Sequence, residues 1–220
     1  MKTKFRALFI LGVFTLFTSV VFSQKFIGGP KLGIAFTQVD GDFYGGYHKV
    51  GVDFGGFVYR TIGKNQKWDL QFEIEYVQKG SRETPDPENG TYTDYKMALN
   101  YLQIPIFARF NARHLSFEAG LSLGTLFSSK EFTDGEEIPV EDQVPFKNME
   151  FAVLAGINYH FNPKLWFNAR FSYSLARIRE PYNGEIPVYD PDPWDLQKPG
   201  QYNNVMVFSF YYAFGGDHKL

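Results

Sequence analysis

Asp53, Glu73, Glu75, Arg109, Glu118 and Arg170 stand at alternate positions of stretches whose intervening residues are apolar. Carboxylates and guanidinium groups sharing one inner face could relay protons or ions. The same groups could instead neutralise one another, because charges taken out of water persist when they are paired. A paired charge network filling an interior is the expectation, and an ion path is the sharper alternative. A second group of acids lies in connecting segments. Residues 130–149 carry Glu131, Asp134, Glu136, Glu137, Glu141 and Asp142, and Asp190-Pro191-Asp192-Pro193-Trp194-Asp195 sets three carboxylates beside a tryptophan. Oxygen-rich clusters can take Ca²⁺, but a solvated acidic loop stiffened by proline explains these as well, and no metal or other cofactor is assigned. Tyr182, Tyr189 and Trp194 are the candidates for partner contact, since binding energy concentrates in aromatic side chains carried on loops.

Nucleophilic chemistry has weaker candidates. His114, Ser116 and Glu118 offer a His/Ser/acid set on one segment, expected to face inward beside a tight turn rather than toward a substrate groove. His48 has Asp40 and Asp42 nearby but no serine, and His160 stands alone. Triad chemistry needs a spatial arrangement that spacing along a chain does not supply. No catalytic residue is assigned and the expected protein is not an enzyme. A lipid-modifying enzyme using His114, Ser116 or His48 is kept as an alternative.

These residues must be positioned by strands. From Lys31 onward the apolar period is two: Trp68-Asp69-Leu70-Gln71-Phe72-Glu73-Ile74-Glu75-Tyr76 interleaves five apolar with four polar residues. Strict alternation of this length predicts a strand with one apolar face. Seven further segments follow the rule, at residues 31–37, 49–55, 101–111, 114–128, 150–160, 166–176 and 205–214. Connections after strands two, four and six are short, and those after strands one, three, five and seven are long. This alternation predicts an all-β, eight-stranded antiparallel up-and-down barrel with a quiet rim and a crowded one.

Side-chain volume decides which face points inward. The apolar face includes Leu32, Ile34, Phe36, Phe54, Phe72, Ile74, Phe117, Phe151, Phe171, Phe208 and Phe210, too bulky a set for the inside of eight strands. The opposite face carries Gly33, Gly51, Gly55, Gly120, Gly124 and Gly156 among serines and charges, as a narrow interior requires. Apolar residues therefore face lipid; a soluble ligand-binding barrel would need them inside. In hydrocarbon a sheet can span only when closed, because every backbone polar group needs a partner. Tyr76, Trp68, Tyr159, Tyr173, Tyr211 and Tyr212 are expected as interfacial aromatic girdles.

Composition agrees. Residues 1–23 join a basic start (Lys2, Lys4, Arg6) to an apolar run ending at Ser23, the layout of a signal peptide cut before Gln24. The rest, a barrel over 24–216 with a tail at 217–220, holds 19 basic and 24 acidic residues. That balance argues against nucleic acid or an anionic lipid surface as the main partner. Cysteine is absent, which excludes disulfides, thiolate metal sites and Cys nucleophiles. No apolar run of 18 residues follows the leader, so no helical span is expected. The expected location is the outer membrane of a Gram-negative bacterium.

The chain resembles the PorT-like outer-membrane β-barrel family of the Bacteroidetes. The resemblance rests on Gly29-Pro30-Lys31-Leu32-Gly33-Ile34, Glu73-Ile74-Glu75-Tyr76-Val77-Gln78-Lys79-Gly80, Tyr101-Leu102-Gln103-Ile104-Pro105-Ile106 and Phe117-Glu118-Ala119-Gly120. These motifs mark barrel construction, not chemistry. The resemblance implies a structural or accessory role, with lipid around the barrel and outer-membrane or secretion-machine proteins, of the type IX kind, meeting the extracellular loops. One departure is the end of the chain: such barrels commonly finish on an aromatic residue, whereas residues 215–220 follow Phe214 here.

Overall fold

Alternation of the kind seen in Trp68–Lys79 puts successive side chains on opposite faces, and only a closed sheet lets both faces be used without leaving an edge. The computed structural model describes residues 26–89, 92–139, 141, 143–181 and 200–215. Eight strands form the wall: β1 (Ile27–Asp40), β2 (Lys49–Ile62), β3 (Trp68–Lys79), β5 (Tyr95–Ala112), β6 (Leu115–Thr133), β8 (Met149–His160), β9 (Leu165–Ser174) and β10 (Tyr202–Tyr212). Each pairs antiparallel with its neighbour, and β1 closes on β10 with Leu32 opposite Phe210 and Phe36 opposite Met206. Two short strands, β4 (Arg82–Glu83) and β7 (Glu136–Glu137), extend the β5–β6 hairpin beyond the wall.

The short turns lie after β2, β5 and β8, as the connection lengths predict. Arg113 takes a left-handed φ of 55° in the two-residue turn between β5 and β6. Asn162 closes the turn after β8 by accepting hydrogen bonds from the Lys164 and Leu165 amides at 2.8 and 2.9 Å. The fourth and fifth barrel segments are longer than alternation marks, because β5 and β6 continue as a hairpin past a register shift at Asn100/Tyr101. The strand pairing of β5 with β3 skips the residues around Pro105, whose ring nitrogen carries no hydrogen to donate.

The expected outer face is outside. Leu32, Leu70, Ile74, Leu123 and Phe210 are each about half exposed or more, and the apolar belt they form encircles the wall. The interior, however, is not only small and polar. Phe57, Tyr59, Trp166 and Tyr211 stack together inside one end, and Val39, Met97, Leu99, Val205 and Ile178 fill the other. Tyr211, expected in a girdle, is instead buried in the interior because it shares parity with Ser209, not with Tyr212. Glycine lets neighbouring strands approach closely. A Cβ at Gly33 would strike Ser209 Oγ and the Phe208 carbonyl, and one at Gly120 would strike Phe107.

Candidate functional site: the charged barrel interior

The inward positions of the strands build layers along the barrel axis. At the centre, Lys31 reaches Asp53 at 3.0 Å and Glu73 at 3.3 Å and also meets Glu75. Arg170 donates through Nε to Glu118 at 2.7 Å and through Nη1 to Glu73 at 2.9 Å. Its Nη2 reaches the Tyr211 hydroxyl at 3.1 Å, and that hydroxyl donates to Glu73 at 3.0 Å. Neutral donors complete the shell: Asn158 and Asn168 donate to Glu118 at 2.9 and 3.0 Å, Gln71 to Glu73 at 2.7 Å, and Ser209 to Asp53 at 2.7 Å. Two cations meet four carboxylates here, all 6 % exposed or less.

The structure thus brings five of the six expected residues together and places the sixth elsewhere. Arg109 pairs with Asp69 at 2.8 Å through Nη2, one layer closer to the short turns. Asn111 and Thr61 also donate to Asp69, at 2.8 and 2.7 Å. The Arg109 guanidinium lies 4.7 Å from the Tyr59 ring centre and 5.1 Å from that of Trp166. The aromatic stack separates this pair from the central cluster, so the six residues do not form one network. On the long-loop side a third layer joins Lys79 to Glu150 at 2.7 Å, with Gln103, Ser174 and Asn203 donating to the same carboxylate. Between this layer and the central one the remaining cavity is about 10 Å³, the room of about one water-sized sphere.

Lys31, Lys79 and Glu150 are interior residues absent from the expected set, and Asp69, whose alternation with Trp68 and Leu70 sets it on the inward face, is the partner of Arg109. The parity signal was available for the first three as well: Lys31 alternates with Gly33 and Ala35 on the inward face, and Lys79 with Glu75 and Val77.

The other candidates resolve in different ways. His114 is exposed in the turn rather than inward, because β6 begins after it. Ser116 and Glu118 do face inward, but Ser116 meets His160, Oγ to Nε2 3.0 Å, and Glu118 belongs to the Arg170 cluster. His160 therefore does not stand alone: it has this bond and stacks on Trp166 with ring centres 5.3 Å apart. Glu131 is not part of an acidic loop cluster. It lies on β6 and is bound at both oxygens by Arg179 at 2.7 Å, with the Tyr95 hydroxyl donating as well. Tyr182, Tyr189, Trp194 and Asp142 lie outside the described residues.

In the first long loop Asp42 is buried and accepts a hydrogen bond from the Tyr44 amide at 3.0 Å. Burial pushes its carboxyl up to about 6. A carboxyl raised by folding holds its proton more tightly in the closed loop, so closure is favoured at acid pH and weakens as pH rises from about 4 through about 6. At about 1.4 kcal/mol per unit, reduced for partial exposure, the effect is about 1–3 kcal/mol. Hydrogen-exchange protection of the Tyr44 amide, corrected for the intrinsic exchange rate, is expected to fall between about pH 4 and 6.5 in the native protein and to stay level in Asp42→Asn. Level protection in both would refute the assignment.

A closed antiparallel eight-stranded barrel, apolar outside and charge-paired inside, defines a β-barrel membrane protein. The chain belongs to the outer membrane protein β-barrel domain family, which matches residues 22–180. It is an outer-membrane protein of a Gram-negative envelope, and β10 (Tyr202–Tyr212), beyond the matched region, supplies the closing strand. No curated protein sequence matches the chain. Among solved structures the chain is similar to Ail, the attachment invasion locus protein of Yersinia pestis, in complex with the heparin analogue sucrose octasulfate. That likeness has 14% identity, 86% of this chain and 99% of that chain covered, and TM-score 0.46. It is similar to Neisserial surface protein A at 11% identity, with 86% and 96% covered and TM-score 0.48. OprG of Pseudomonas aeruginosa is 12% identical, with 88% and 97% covered and TM-score 0.38.

Proposed function

We propose that this protein is a non-conducting, non-enzymatic outer-membrane barrel of the PorT-like Bacteroidetes group, secreted through its signal peptide and working as a structural or accessory subunit. The observation that carries this reading is the layered interior. A water-filled channel needs a continuous polar path, whereas here three ion-paired layers alternate with an aromatic stack and an aliphatic cluster. Chemistry on lipid would need a nucleophile and its base together at the lipid surface, but Ser116 and His160 are buried inside the wall, and the exposed His48 has no serine bonded to it among the described residues. Function then falls to the long loops, with Tyr182, Tyr189 and Trp194 as contact residues for another envelope protein. A subunit role in a secretion or assembly machine follows from the same surface and from the sequence resemblance.

Extraction from the native outer membrane in mild detergent without heat, followed by size analysis, tests the accessory role. A large complex with co-eluting proteins is the expected result, and migration at the protein's own mass would remove the role. Planar-bilayer recording of the purified barrel is expected to show no steady conductance; open-channel currents in the native protein would overturn the packed-interior reading.

A further inference from the structure

The barrel wall has a local break on its long-loop side. Pairing of β2 with β3 ends at Asp53 opposite Val77, while β3 pairs with β5 as far as Lys79 opposite Leu99. Gly80 then takes a φ of +131° and its carbonyl accepts a hydrogen bond from Thr37 Oγ1 at 2.7 Å. The next residues form β4, which sets Arg82 beside Lys96 of β5. Regular pairing of β2 with β3 therefore stops below the rim, and a cleft of about 350 Å³ opens there, lined by His48, Lys49, Arg82 and Lys96 over Val50 and Ala98.

Among the described residues, the cations of this cleft have no carboxylate partner; Lys96 Nζ lies 5.5 Å from the Phe132 ring centre. Lys31, Lys79, Arg109, Arg170 and Arg179 are buried, and each has its carboxylate. Lys49 is equally buried, at 7 % exposure, yet its ammonium donates to the Val50 carbonyl at 3.1 Å. Among the described residues, neither Lys49, Arg82 nor Lys96 forms an ion pair. In a chain with more acids than bases, three converging cations without an anion among the described residues mark a place for one.

The depth of the cleft identifies the source. On the outer face of β3, the apolar run Leu70, Phe72, Ile74 ends at Tyr76, which packs on Phe54 and Phe127. The Tyr76 hydroxyl donates to Asn100 at 2.8 Å and accepts from Gln78 at 2.9 Å. An aromatic ring with its body in apolar surroundings and its hydroxyl in a polar pair marks the hydrocarbon boundary. Gln78 and Asn100 line the cleft, so its mouth opens sideways at the level of lipid headgroups, beside the half-exposed Val50. We propose that the cleft binds the phosphate of an anionic outer-leaflet lipid, with Lys49, Arg82 and Lys96 as counter-charges and Val50 and Ala98 against the adjoining carbons. This inference rests on the membrane placement of the barrel and is independent of the accessory role.

Native mass spectrometry of the folded protein in neutral detergent tests it, with dihexanoyl phosphatidic acid, dihexanoyl phosphatidylcholine and inorganic phosphate as probes. The native protein is expected to prefer the phosphatidic acid over both other probes. Arg82→Gln/Lys96→Gln should weaken that binding about tenfold or more, as the loss of two surface cations facing anionic lipid implies. Lys49→Met is expected to weaken it as well, with folding of each variant checked by heat-modifiable migration. Lys130→Gln/Lys147→Gln removes the same net charge from residues already paired with Glu137 and Glu180, and should leave binding intact. Unchanged binding in the Arg82/Lys96 variant would overturn the proposal. Equal loss in the Lys130/Lys147 variant would reduce it to diffuse charge, and equal affinity for inorganic phosphate would replace lipid with a free anion.

Discussion

Replacing Arg170 with methionine is expected to lower the stability of the folded barrel by about 3–5 kcal/mol, the range for breaking a buried pair from one side. Arg170 is the hub of the interior: its guanidinium joins Glu118 on β6 to Glu73 on β3 across the barrel and lies 4.6 Å from the Phe107 ring centre. Methionine preserves much of the packing but leaves Glu73 with Lys31 as its remaining cation and Glu118 with two asparagines. Urea unfolding in detergent micelles, followed by tryptophan fluorescence, measures the loss. The double variant Arg170→Met/Glu118→Gln should recover part of it, because one stranded carboxylate is then neutral. A single variant as stable as the native protein would show that the central pairs contribute nothing.

Trp166→Ala is expected to cost about as much, 3–5 kcal/mol, by a different route: cavity formation in a packed core. Trp166 is fully buried and has Phe57, Tyr211 and His160 within 5.1–5.3 Å between ring centres. It also covers one face of the Arg109 guanidinium. Losing the indole opens the aromatic stack that separates the Asp69–Arg109 pair from the central cluster, leaving Phe57, Tyr59 and Tyr211 around a void wide enough for water. Unfolding free energy and the temperature at which the folded form disappears in heat-modifiable electrophoresis should both fall. Trp166→Phe keeps a ring in the stack and should recover more than half of the loss. An alanine variant within about 1 kcal/mol of native, below the range for such truncations, would mean that the stack contributes little to stability.

Much of the architecture is legible along the chain because strand parity is local. Leu70, Phe72 and Ile74 point outward and Asp69, Gln71 and Glu73 inward wherever β3 sits, and the same rule assigns Glu118 and Arg170 to the interior. Lys31, Lys79 and Glu150 obey the same parity as Glu73 and are interior for the same reason. Tyr211 shows the limit of composition-based reasoning, since a tyrosine near a strand end suits a girdle until parity is counted against Ser209. Volume alone is also an incomplete guide to the lumen, where Trp166 and Phe57 pack on each other and on Tyr59 and Tyr211. His114 depended on where a turn ended, and a shift of one residue moved it from strand to solvent.

The eight wall strands, their up-and-down order, the rim that carries the long loops and the face that meets lipid all follow from the chain read residue by residue. Each of these depends on neighbouring residues or on the lengths between them. Only the tertiary structure decided which interior charges meet. Arg170 and Glu73 are 97 positions apart and Lys31 and Glu75 are 44 apart, and they touch because closure of β1 on β10 and the stagger between strands set the height of each side chain along the axis. That height separates Arg109 from the central cluster, although both share one inward face. It also leaves Lys49, Arg82 and Lys96 together where the pairing of β2 with β3 stops short, because register between strands is settled by closure of the whole sheet.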